Sequence, residues 1–203
     1  MKSRKKSYTK IIIILVILLI LGIIGFIYLN KDEEKSVVKV ERTIPGYGYT
    51  LEENETEIYK STFNKLETIL DQEEIDNEEY AKCISELFII DFYTLDNKLS
   101  KNDIGGVQFI YPSIKDNFVE KARSTFYKYL EVKEGRTQTL PIVSEITSVL
   151  AEKTLFKVKD TKENKEAYKV SISWEYEEEL DYEKEAIIYV VEENNKLYII
   201  EMD

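Results

Sequence analysis

The sequence holds no histidine, one cysteine, three prolines, seven glycines, two methionines and one tryptophan in 203 residues. The missing histidine excludes the most. A Ser-His-Asp triad, a Cys-His pair and the commonest transition-metal sites all need an imidazole. The single cysteine, Cys83, cannot close an internal disulfide, and no histidine exists to activate it as a nucleophile. Positive charge is also scarce, with 28 Lys and Arg against 39 Asp and Glu. Lys2, Arg4, Lys5, Lys6 and Lys10 supply five positive charges before residue 11, so the remainder carries −16 of the overall −11. Such a chain does not hold nucleic acid or an anionic membrane surface by bulk electrostatics. A basic partner, or a cation-rich surrounding, suits it better. Alanine, glycine and proline are sparse while Ile, Lys, Glu, Asn and Tyr abound, which points to a low-GC bacterial genome. The sequon Asn54-Glu55-Thr56 then carries no glycan.

What the sequence does have is one long apolar run, residues 11–29, with no charged side chain. As a helix it would extend about 28 Å, the thickness of a bilayer's hydrocarbon core. The basic flank on its N-terminal side predicts a cytoplasmic tail (1–10), a single membrane-spanning signal anchor (11–29) and everything later outside. A removed signal peptide is the competing reading. No A-x-A-like cleavage pattern follows the run, and no cysteine stands there to take a lipid. The protein is thus expected in the cell membrane, integral by one span.

Residues 30–53 read as a linker, charged at first and then broken by Pro45-Gly46-Tyr47-Gly48-Tyr49. Its two tyrosines could staple it onto the domain at 54–203. Three helices are predicted next. Asn54 with Glu57, Asp76 with Glu79, and Ser113 with Asp116 all have capping-box spacing. The first helix shows Tyr59, Phe63, Leu66, Ile69 and Leu70 on one face. The second shows Tyr80, Cys83, Ile84, Leu87 and Phe88 on one face and then becomes apolar nearly all round through Ile89, Ile90, Phe92 and Tyr93, as a helix buried on several sides would be. The third is expected to carry its apolar face from Ile114 through Phe126, Tyr129 and Leu130. Val107 to Tyr111 reads as a short extended piece. After Gly135 the period becomes two. Tyr168, Val170, Ile172, Trp174 and Tyr176 alternate with polar neighbours, and Asn194-Asn195 predicts a tight turn between the last two of about four antiparallel strands. The fold class is α+β, with three helices packed on a curved antiparallel sheet.

This order of elements, with the run Phe88-Ile89-Ile90-Asp91-Phe92-Tyr93, resembles the NTF2-like (cystatin-like) α+β fold. Together with a short tail and one span it is similar to the VirB8-type subunits of bacterial conjugation and type IV secretion machines. The resemblance covers residues 54–203 and implies an assembly or scaffold role. It carries over no site residues.

Candidate chemistry is sparse. Asp91 lies in an apolar stretch, where a dry pocket would raise its pKa and make it a general base. The alternative is a carboxylate hydrogen-bonded to a tyrosine or a backbone amide. Asp91, Tyr93, Trp174 and Tyr176 are the expected lining of a helix–sheet cone, with plain core packing as the alternative for the aromatics. Asp71 to Glu79 resembles a calcium loop only loosely, since it lacks the glycine and the final glutamate. Cys83 falls on the apolar stripe, and Gly105-Gly106 lacks phosphate-loop context and reads as a turn. No cofactor and no metal are expected. A protein partner or a second copy of the chain is. The expected function is a non-enzymatic, membrane-anchored binding or scaffold protein of an envelope or secretion-type assembly. The alternatives are a small-molecule sensor using the cone, and a carboxylate-dependent hydrolase needing two facing acids.

Overall fold

The computed structural model describes residues 38–157 and 164–203. The run at 11–29 and the tail before it lie outside them. Among the described residues, no helix is long and apolar enough to cross a membrane.

The domain is α+β: three helices packed against a four-stranded antiparallel sheet, with a small hairpin ahead of them. That hairpin, β1 (Val40–Thr43) and β2 (Thr50–Glu52), falls inside the expected linker 30–53. The compact unit begins at Val38, so residues 38–53 of the expected linker belong to the domain. The reason is apolar: Ile44, Tyr49 and Leu51 are buried in the main core. Tyr49 donates its hydroxyl hydrogen to Leu197 O at 2.9 Å and meets the Tyr80 hydroxyl at 2.8 Å. Lys196 lies over the Tyr49 ring at 3.9 Å and donates to Tyr47 O at 2.6 Å. The tyrosines of the segment do staple it down.

Helix α1 spans Glu57–Leu70. Its cap is Thr56, whose hydroxyl accepts from Tyr59 N, two residues later than the Asn54 expected from sequence. Asn54 instead donates to Asn97 O at 3.1 Å. The apolar face of α1 is as predicted, with Tyr59, Phe63, Leu66 and Ile69 buried. Helix α2 spans Asn77–Tyr93 and is capped by Asp76, which accepts from Glu78 N and Glu79 N. From Tyr80 to its end every residue but Lys82 is buried. It packs against α1, the sheet and an aromatic group at Phe118, Phe126 and Tyr127, which explains its apolar circumference.

The segment after α2 departs from expectation. Gly106, at φ 74°, starts a 3₁₀ turn over Val107–Phe109, not an extended piece. Ile110 then bridges Ile199 in parallel at an edge of the sheet. A second 3₁₀ turn, Pro112–Ile114, precedes α3 (Lys115–Ser124), so Ser113 does not cap that helix and Ile114 stands at the cap position without a side-chain bond. α3 also stops short of the predicted Leu130. The Thr125 hydroxyl donates back to Lys121 O at 2.7 Å, the backbone turns, Tyr127 enters the core, and Tyr129 faces water.

The sheet runs β3 (Val143–Lys157), β4 (Asn164–Tyr176), β5 (Glu185–Glu193) and β6 (Lys196–Met202) in that order, all antiparallel. β4 alternates as predicted, with Val170, Ile172, Trp174 and Tyr176 buried. Register shifts between Val143 and Glu145 and between Ser148 and Leu150 change the parity of β3 twice, so Val143 and Ala151 are buried while Ile146 and Ser148 face inward between them. Asn194 and Asn195 both have positive φ, as a type I′ turn requires.

Candidate functional site

Among the described residues, a dense group of buried charge lies where three chain segments meet: the junction between β2 and α1, the last turns of α2, and the loop from Asn97 to Gly106. Its centre is an ion pair between Asp91 and Lys98, two residues that are 8 % and 3 % exposed. Gly106 N donates to the other Asp91 oxygen at 2.7 Å. Both carboxylate oxygens are thereby used, which a buried charge requires to avoid a large desolvation cost.

The glycine pair is explained by the same contact. A Cβ on Gly105 would overlap the backbone carbonyl of Asp91, and one on Gly106 would overlap the Phe88 ring. The loop can press onto α2 only because both side chains are missing. Gly105 N donates to Tyr127 Oη at 3.1 Å, and that hydroxyl donates to Phe92 O at 2.7 Å, which ties the loop, α2 and the segment after α3 together.

Glu55 completes the cluster. It is 8 % exposed, accepts from Asn97 Nδ2 at 3.3 Å, and feels the charges of Asp91 and Lys98. Burial first, and the Asp91 carboxylate second, push its pKa up to about 8. Burial likewise raises Glu52 on β2, with Asp91 adding to it. For Lys98, burial opposes the charge, but Asp91 and Glu55 outweigh it and hold the ammonium above its usual range. Tyr59, fully buried on α1, is raised by burial and accepts from Gln108 Nε2 at 2.9 Å.

The four residues expected to line a cone do not form one group. Asp91 belongs to the ion pair. Tyr93 and Trp174 pack ring on ring at 4.8 Å, with Phe126 against Tyr93 at 5.2 Å. Tyr176 sits further along β4 and donates to Glu183 O at 2.9 Å. All four are buried. Asp91 thus follows the alternative reading of a carboxylate held by a backbone amide, with a lysine added. Cys83 is a core residue whose thiol donates to Thr62 O at 3.4 Å, and burial pushes its pKa up. In the acidic stretch, Asp76 caps α2 and Glu79 pairs with Lys82 and Lys65. Among the described residues, no three His, Cys, Asp or Glu side chains gather closely enough to hold a metal ion.

Sequence reasoning found Asp91 but missed Lys98, Glu55, Asn97 and Tyr127. An acid inside an apolar run does demand a partner, so the need for a cation was legible. Its identity was not, since Lys98 is one of several lysines beyond the helix. Chemically, the cluster can hold an extra proton and fasten three segments. It offers no open face to a substrate.

These features define an α+β domain with a buried, closed charge cluster centred on the Asp91–Lys98 pair. Compared with known protein families, curated proteins and solved structures, the chain matches none.

Proposed function

We propose that this is a non-enzymatic, single-pass membrane protein whose outer domain binds another protein as a scaffold of an envelope or secretion-type assembly. The observation that carries it is the state of β3. It stands at the end of the sheet order and, among the described residues, pairs only with β4, while the opposite edge strand is bridged by Ile110 at Ile199. Val149 and Leu155 on this strand are 70 % and 71 % exposed. An open edge strand with exposed apolar side chains is the geometry that accepts a strand from a partner. The acidic turn at Glu177 to Glu185 and the overall negative charge favour a basic partner. The apolar run at 11–29 supports the anchor and the basic tail supports its orientation. The α+β layering supports the likeness to the NTF2-like fold and to VirB8-type subunits.

The buried chemistry weighs against the alternatives. A small ligand in the cone would need the space that the Tyr93, Trp174 and Phe126 rings fill. Glu55 and Asp91 are two acids brought together, but both are closed from water and Asp91 is bound to Lys98.

Photo-crosslinking from positions 149 and 155 in native membranes, followed by mild detergent extraction and mass spectrometry, tests it. The expected result is one or a few membrane or envelope proteins in fixed ratio, whose co-purification without crosslinking is lost in a Val149→Lys, Leu155→Lys double variant. Recovery of the protein alone, uncrosslinked from either position, would overturn it.

A further inference from the structure

The junction between the N-terminal hairpin and α1 is fastened to the loop after α2 by a reciprocal pair of bonds. Asn54 Nδ2 donates to Asn97 O at 3.1 Å, and Asn97 Nδ2 donates to Asn54 O at 3.4 Å. Glu55 takes its one side-chain hydrogen bond, at 3.3 Å, from that same Asn97 amide.

The charge around Glu55 is unbalanced. Glu52 faces it from β2, Tyr59 from α1, Asp91 from α2, and Lys98 and Asp103 from the loop. That is four carboxyl groups, Glu55 included, against one ammonium. The Lys98 ammonium is already bonded to Asp91. Asp103 is occupied as the acceptor of Leu99 N at 2.8 Å. The junction is also short of donors, since Asn54 Oδ1 and Asn97 Oδ1 are both buried without a hydrogen-bond partner. An ionised Glu55 would add an unpaired negative charge to a place already over-supplied with acceptors. A protonated Glu55 adds no charge and brings one O–H donor.

We propose that Glu55 is a proton-operated latch: with its carboxyl protonated, residues 53–56 stay closed on residues 94–98, and when the proton leaves to solvent the junction loosens. The hairpin itself stays docked through Tyr49 and Lys196, so the opening is local and frees the hinge through which the hairpin meets the domain. The raised pKa of Glu55 places the transition near neutral to mildly alkaline conditions.

The test uses the full chain in detergent micelles with glutamate labelled at its side-chain carboxyl carbon, titrated from acid to alkali by NMR. One resonance with a midpoint near 8, absent from Glu55→Gln, is expected. Hydrogen exchange, corrected for intrinsic rates, is then read at two pH values either side of that midpoint. Between one pH unit below it and one above, the protonated fraction falls about tenfold, and protection of segments 50–57 and 94–104 falls with it. Glu55→Gln, which mimics the protonated form, keeps that protection. A Glu55 midpoint in the ordinary glutamate range would overturn the latch. So would wild type and Glu55→Gln losing protection alike. If the variant fails to fold, the wild-type exchange series still decides the question: protection of 50–57 and 94–104 that is unchanged from about pH 7 to about pH 9 would overturn the latch.

Discussion

Asp91 and Lys98 show how a single residue can read differently alone and in place. Alone, Asp91 is a carboxylate in an apolar stretch; in place, it is half of a buried pair capped by the Gly106 amide. Lys98→Met would leave that carboxylate buried and uncompensated. A loss of about 3–5 kcal/mol of unfolding free energy is expected by urea denaturation, and the double variant Asp91→Asn, Lys98→Met should recover much of it. Gly105→Ala should cost at least about 1–3 kcal/mol, because the added methyl has backbone and not a movable side chain in its way. Glu55 sets the pH dependence. Its folded pKa of about 8 lies above its ordinary 4.5, so the folded state binds the proton more tightly. The contribution is full below about 4.5 and is lost as pH rises to about 8, so stability should fall across that window. In Glu55→Gln the same denaturation series should run flatter.

Among the elements, the hairpin β1–β2 differs most from its appearance in the sequence. Proline and two glycines mark it as a breaker region, yet it contributes three buried apolar side chains. A chain begun at residue 54 should therefore melt lower than one begun at residue 38, and Tyr49→Ala alone should cost about 3–5 kcal/mol by removing a fully buried ring. At the other end, Asn194→Ala should lose about 1 kcal/mol, since alanine tolerates positive φ poorly. Helix α2 and strand β4 were legible because burial on several sides, or on one, writes a plain pattern in the residues. The caps at Asn54 and Ser113 were not: capping-box spacing recurs by chance, and the chain uses Thr56 and a 3₁₀ turn instead. The end of α3 was hidden for a similar reason. Phe126 and Leu130 keep a helical period while Thr125 breaks the backbone between them and the helix.

For the whole molecule, the arrangement we propose is a short cytoplasmic tail, one span and an acidic domain outside. Protease added to intact cells should remove the domain, and deleting residues 1–29 should release it from the membrane fraction. The sequence by itself determined the fold class, the buried faces of α1, α2 and β4, the tight turn at Asn194-Asn195 and the exclusion of histidine chemistry. All of these follow from composition or from periods within one segment. Only the tertiary structure decided that Asp91 meets Lys98 and Glu55, that two glycines exist to let a loop touch α2, and that the breaker region belongs to the core. Those contacts join residues far apart in the chain, and no local period records which distant side chain will arrive.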